Sequence, residues 1–163
     1  MDNLKSAFAG ESQANRKYIA FARKADEEGQ PQVAKLFRAA AEAETIHALN
    51  HLKAMGEVKG TEENLGSAVS GETYEFKEMY PDFIEAAKAE KNTQAAWSFD
   101  VANRVEKVHA ELYRQAEKSL KSGEKMPAKD YYVCSVCGMT VEGDAPDKCP
   151  ICGAPKAKFF KVF

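Results

Sequence analysis

Apolar residues recur at Val33, Leu36, Phe37 and Ala40 with the 3.6-residue period of one helix face. The next places on that stripe are Glu44, His47 and His51, so three positions expected to be apolar are polar instead. On a helix Glu44 and His47 lie one turn apart, roughly 4.5 Å along the axis, and both side chains reach one point between helices. Occurring once, the pair would read as a half-exposed glutamate beside a core histidine with its nitrogens satisfied. It occurs twice. The segment VEKVHAELY carries Glu106 and His109 at the same spacing, in a helix whose stripe runs Phe99, Ala102, Val105. One constant shift pairs Ala34 with Ala96, Phe37 with Phe99, Ala40 with Ala102, Glu44 with Glu106, His47 with His109 and Ala48 with Ala110, and AGE ending at Glu11 has a near copy in SGE ending at Glu72. The pattern is that of a duplicated helix pair.

Four helices follow from the periodicity: about Asp2 to Glu28, Gln32 to Met55, Leu65 to Lys91 and Asn92 to Lys121. The first puts Leu4, Phe8, Glu11, Asn15, Tyr18 and Ala22 on one face. Pro81 falls inside the third and is expected to kink it, or split it after Tyr80. The pattern therefore predicts an all-α four-helix bundle over residues 1–122, a polar linker over 123–130 and a small module over 131–163.

Composition narrows the function classes. The 163 residues are 44% hydrophobic, ordinary for a packed protein, and charge interrupts each helix before a membrane-spanning run accumulates. The first 30 residues carry Glu11, Arg16, Lys17, Arg23 and Lys24 in place of a secretory core, so the cytoplasm is the expected compartment. With 23 basic and 25 acidic residues spread along the chain, no basic stripe offers a nucleic-acid surface.

The inward carboxylates now assemble into a site. Glu11 interrupts the apolar face of the first helix, Glu72 and Glu75 sit one turn apart on the third, and the second and fourth supply Glu44, His47, Glu106 and His109. Dry, unpaired carboxylates in one core are heavily penalised, so cations must balance them. Two divalent or two trivalent ions bring the total near zero; one ion does not. Oxygen-rich ligands with one imidazole per metal suit iron or manganese better than a closed tetrahedral zinc site. Ferritin-like di-iron carboxylate bundles take one Glu from each of two helices and a Glu-x-x-His from each of the other two. This sequence exceeds that set by one carboxylate, either Glu72 or Glu75.

The tail carries an independent signal. In YYVCSVCGMTVEGDAPDKCPICGAPKAKFFKVF, Cys134 and Cys137 form one C-x-x-C-G knuckle and Cys149 and Cys152 another. Paired knuckles are what a tetrahedral four-thiolate site needs, and they argue against disulfides in a cytoplasmic chain. So short a module lacks a sufficient core, and metal binding is expected to supply much of its folding energy. Spacing alone leaves zinc and iron open.

Taken together, Glu11, Glu44-x-x-His47, Glu72-x-x-Glu75, Glu106-x-x-His109 and the C-terminal C-S-V-C-G and C-P-I-C-G make the chain resemble the rubrerythrins along essentially its whole length. The resemblance implies a ferritin-like di-iron bundle joined to a rubredoxin-like iron site, with two irons in the first and one in the second, zinc being a substitute metal. It implies a peroxidase that reduces hydrogen peroxide to water, protects against oxidative stress, and is supplied with electrons by rubredoxin or an NAD(P)H-dependent reductase. By the same resemblance Glu44 and Glu106 bridge the irons, Glu11 holds iron 1, and Glu72 and His109 hold iron 2. Glu75 and His47 become alternative ligands of iron 1 exchanged with redox state, and Tyr18 and Tyr80 match tyrosines near the site. The exchange has its own physical motive, since reduction lowers the metal charge and favours neutral imidazole over carboxylate. A homodimer or higher oligomer, head-to-tail or helix-swapped, is implied too, with the tail of one chain serving the di-iron site of another.

Two features depart from the family pattern. Met139 follows the first knuckle where an aromatic residue is common, which bears on packing and tuning of the small iron site. His51 matches no ligand and reads as a surface histidine or one lying behind the ligands. Tyr18 and Tyr80 read equally well as core residues with satisfied hydroxyls. Iron storage or ferroxidase activity explains the bundle without a use for the tail, whereas a pure electron carrier explains the tail without the bundle ligands. A zinc ribbon on a vestigial bundle, serving only interactions, is the remaining alternative.

Overall fold

The computed structural model describes residues 2–163, which form two compact units, one ending at Lys59 and the other spanning Gly60–Phe163. The first unit is a helical hairpin, α1 (Asp2–Glu27) and α2 (Pro31–Ala54). Gly29, at φ +71, turns the chain between them, and Pro31 occupies the first turn of α2, where a missing N–H costs nothing. The seam between the helices is built from small residues: Ala22 and Ala25 on α1, and Ala34, Ala41 and Ala48 on α2, are all buried. Here the structure corrects the apolar stripe expected for α2. Val33 and Leu36 are 44% and 68% exposed, while the heptad-spaced alanines are buried, because small side chains let the backbones come close enough for a polar lock. That lock is buried Asn15, whose Nδ2 donates to Ala41 O at 2.7 Å and to Thr45 Oγ1 at 2.8 Å.

The second unit contains α3 (Thr61–Tyr74), a π-helical turn (Glu75–Met79), α4 (Tyr80–Ala89) and α5 (Thr93–Ser122). The third helix begins at Thr61, earlier than the apolar pattern predicts, because its first turn is polar. Pro81 neither breaks nor ends it. The wider turn before it closes with Tyr80 N–H donating to Glu75 O, and Pro81 enters the first turn of α4, where its missing N–H is tolerated. Asn92 caps α5 by accepting from Ala95 N at 3.0 Å, and left-handed Gly123 ends it. The duplication extends into packing: Tyr18, Phe21 and Phe37 cluster in the first unit as Tyr80, Phe83 and Phe99 do in the second, with the two Phe–Phe centroid distances both 5.5 Å.

The tail forms a three-stranded antiparallel sheet of β1 (Tyr131–Cys134), β2 (Thr140–Glu142) and β3 (Phe159–Val162), in the order β2-β1-β3. Its buried Cys134, Met139 and Cys149 share one apolar cluster with Val105 of α5. Met139 is buried in that cluster, and its carbonyl accepts from Cys134 N at 2.9 Å. Among the described residues no helix is long and apolar enough to cross a membrane.

Candidate metal centres

Regular helix geometry turns the Glu-x-x-His spacing into contact in both units. In the first, His47 Nδ1 lies 2.8 Å from Glu44 Oε2, and Glu11 joins them, the three ligand atoms all within 4.8 Å of one another. In the second, His109 Nδ1 lies 2.7 Å from Glu106 Oε2 and 3.8 Å from Glu72 Oε2, and Glu72, Glu106 and His109 meet the same limit. Each unit therefore presents two carboxylates and one imidazole converging on one point, the donor set that the sequence pattern predicts for each metal. His51 joins neither triad.

Within the second unit the clustered carboxylates and the imidazole shift one another's titration. Burial, reinforced by a hydrogen bond to Glu106 and by its charge, pushes Glu72 up to about 7. Glu106 is also pushed upward by burial, but hydrogen bonds from His109 and Glu72 outweigh this and hold it below the usual carboxylate range. The hydrogen bond to Glu106 raises His109 against the opposing effect of burial. Glu75, first residue of the π-helical turn, lies outside the triad yet is raised by burial and by the charge of Glu106. Tyr80 is raised by burial and then by Glu106, Glu75 and Glu72, which places its ring beside the same cluster. Tyr18 occupies the matching place in the first unit, stacked on Phe37 at 6.1 Å.

A cation replacing those protons releases them, so metal affinity of the Glu72–Glu106–His109 triad is expected to rise with pH through about 7. The sign is set by two groups: Glu72 and His109 both have raised values, and both must lose a proton to ligate. Ferrous titrations under anaerobic conditions, with proton release followed in parallel, check this. Uptake that is flat with pH and releases no protons would contradict it.

The four cysteines converge as well. Left-handed Gly138 (φ +82) and Gly153 (φ +76) bend each knuckle, and their amides donate to Cys134 O at 2.8 Å and Cys149 O at 2.9 Å. The Sγ atoms of Cys134 and Cys152 are 3.8 Å apart and those of Cys137 and Cys149 are 3.5 Å apart. A tetrahedron with metal–sulfur bonds of about 2.3 Å has edges of roughly 3.8 Å, so the thiols stand at metal-site spacing, far from the 2.0 Å of a disulfide. Burial works against Cys149 ionising, but the backbone N–H groups of Cys152 and Ile151 hold it down at about 7. Burial raises the thiols of Cys137 and Cys152.

The family model for rubrerythrin matches residues 2–117, and that for the rubrerythrin rubredoxin-like domain matches residues 132–160. The chain belongs to the rubrerythrin family. Among rubrerythrin relatives, Rubrerythrin-2 of Clostridium acetobutylicum is 36% identical over 97% of this chain and 94% of its own length. Nigerythrin of Nitratidesulfovibrio vulgaris is 39% identical over 98% of this chain and 84% of its own. Among solved structures, nigerythrin in a mixed-valence state aligns with TM-score 0.59 and 38% identity, covering 99% of this chain and 85% of the other. Nigerythrin in a fully reduced, all-ferrous state aligns with TM-score 0.60 and 36% identity over the same shares. The protein is thus an iron protein of an oxidoreductase family, with a di-iron carboxylate site and a four-cysteine rubredoxin-like site.

Sequence spacing missed the residues that seat the rubredoxin-like module on α5. Arg104 Nη1 donates to Ile151 O at 3.0 Å and Nη2 to Pro150 O at 3.1 Å, gripping the second knuckle. Thr140 Oγ1 lies 2.9 Å from His109 Nε2 beside the first. None of these pairs has a short-range spacing that could have revealed it. The tail therefore rests on the helix of its own chain that carries Glu106 and His109.

Proposed function

We propose that this rubrerythrin is a non-haem di-iron peroxidase that reduces hydrogen peroxide to water, receiving electrons through its four-cysteine iron site. The observation that favours this over iron storage is the packing of that site: Cys134, Met139 and Cys149 share a core with Val105, the residue next to Glu106. A storage protein has no use for a thiolate iron module seated beside its carboxylate ligands. When bound, the iron pair supplies two electrons for O–O cleavage, one from each ion, so that no free hydroxyl radical need escape.

In this reading Glu44 and Glu106 would serve both ions, Glu11 would hold one, and Glu72 and His109 would hold the other. Glu75 and His47 would be alternative ligands of the first ion, since a carboxylate suits a more charged cation and an imidazole a less charged one. The π-helical turn that begins at Glu75 supports such movement, because irregular turns of this kind accommodate functional displacement. Tyr80, beside the acid cluster, and Tyr18, its counterpart, hold hydroxyls available for proton transfer.

Each unit provides one triad. A homodimer or higher oligomer, head-to-tail or helix-swapped, belongs to this reading. Rubredoxin or an NAD(P)H-dependent reductase would reduce the tail.

The test is anaerobic. Fully reduced protein mixed with peroxide should oxidise with one peroxide consumed per ferrous pair, and far faster than with dioxygen. Faster oxidation by dioxygen, together with iron accumulating beyond the bound complement, would establish the ferroxidase reading in its place.

A further inference from the structure

His109 is held at both ends. Its Nδ1 faces Glu106 Oε2 at 2.7 Å, on the side of the acid cluster, while its Nε2 faces Thr140 Oγ1 at 2.9 Å, on the side of the rubredoxin-like module. The Thr140 hydroxyl has a single proton, which it donates to Gly138 O at 3.2 Å, so it must accept from His109 Nε2–H. The hydroxyl is therefore directional. It fixes the tautomer that leaves Nδ1 for the carboxylates or for a metal, and it ties the ring to the carbonyl of Gly138, the residue after Cys137.

The surroundings keep this link short. Thr140 pairs with Val133 at the start of β2, next to Cys134, which places its side chain within a sheet instead of a free loop. Gly138 lies against α5: a Cβ there would stand 3.9 Å from Val105 Cγ1, and Val105 is buried with Cys134, Met139 and Cys149. Arg104 secures the other knuckle from the same turn of α5. Two hydrogen bonds thus connect a ligand of the four-cysteine site to a ligand of the carboxylate site inside one unit.

We propose that Thr140 is the positioning residue through which the four-cysteine site delivers electrons to the carboxylate site, its hydroxyl joining the carbonyl of Gly138, the residue after Cys137, to His109. The inference rests on the di-iron reading of the Glu72–Glu106–His109 triad. The step is a single-electron transfer: the ferrous four-thiolate ion becomes ferric, and a ferric ion of the pair becomes ferrous. No bond is made or broken, and His109 Nε2 and Thr140 Oγ1 keep their protons. The route also assigns unequal roles to the knuckles. The first, through Cys137, is the electron exit, and the second is held by Arg104 as an anchor.

Thr140→Val keeps the β-branched shape and removes the hydroxyl, whereas Thr140→Ser keeps the hydroxyl. With oxidised holoprotein and no peroxide present, flash reduction of the tail bleaches its red ferric absorption, and the colour returns as the electron moves on. The return in Thr140→Val is expected to be slower by about 10- to 100-fold, the usual cost of removing a partner that orients a metal-ligating histidine, with Thr140→Ser close to wild type. In protein carrying diamagnetic zinc in the four-cysteine site, which keeps the tail folded, the His109 Nε2–H resonance should be protected from exchange in wild type and Thr140→Ser and unprotected in Thr140→Val. A valine variant that transfers at the wild-type rate overturns the proposal, as does equal slowing in both variants, which would assign the effect to packing. Should Thr140→Val lose its red absorption before the flash, Thr140→Ala serves in its place under the same criteria. Because peroxide takes no part, failure of the peroxidase reading and failure of this one give different results.

Discussion

Glu106→Ala is expected to reduce bound iron to what the four-cysteine site alone retains, and to lower the melting temperature of the iron-loaded protein. Glu106 is the charge around which its triad is organised: His109 lies 2.7 Å away, Glu72 is raised to about 7 in part by its presence, and Glu75 and Tyr80 both respond to it. Without it the imidazole faces only Glu72, and the triad keeps a single carboxylate. A ligand present at a thousandfold excess over its dissociation constant contributes about 4 kcal/mol to stability, so its loss lowers the melting temperature of a chain this size by about 10 °C. Glu106→Gln separates charge from shape: it should lose iron equally while leaving the metal-free fold near wild type. Iron analysis and calorimetry check both variants. Wild-type iron content in Glu106→Ala would remove the triad from the account of the site.

Cys149→Ser is expected to abolish the red ferric absorption and to unfold the tail while leaving the helices intact. Cys149 is the thiol most prepared to ligate, since N–H donors from Cys152 and Ile151 favour its thiolate against the cost of burial. Serine offers no comparable anion to a soft site. Metal binding in small modules of this class contributes about 10 kcal/mol or more to folding, and the tail's core cluster buries only Cys134, Met139 and Cys149 with a borrowed Val105, against which Val141, Ile151 and Phe159 pack half-buried. Limited proteolysis should move into residues 131–163, with far-UV circular dichroism almost unchanged. Retention of the red spectrum would refute the ligand assignment. A metal-free tail resisting protease would show that α5 alone holds the module folded.

The twin Glu-x-x-His motifs, the partner glutamates and the paired knuckles were legible in the sequence because each depends on local geometry. One helical turn brings residues three apart together, and a C-x-x-C-G knuckle closes on itself around a left-handed glycine. Spacing along the chain is sufficient information for such contacts. The duplication was legible for the same reason, as in the pairing of Phe37 with Phe99, and the structure extends it to the aromatic trios Tyr18–Phe21–Phe37 and Tyr80–Phe83–Phe99, whose members keep one constant shift.

What joins elements distant in sequence was decided by the tertiary structure. The burial of Ala34, Ala41 and Ala48 in place of Val33 and Leu36 depends on how closely α1 approaches α2, which hydrophobicity does not encode. The uninterrupted passage through Pro81 depends on a π-helical turn, a change of hydrogen-bond register that leaves little trace in composition. The seating of the tail on α5 depends on Arg104, Val105 and Thr140, residues whose types are unremarkable and whose partners lie far along the chain. A sequence by itself determines which groups can ligate, because that follows from side-chain chemistry and local spacing. Only packing determines which site each ligand serves and what stands behind it, since those contacts exist only after the chain has folded back on itself.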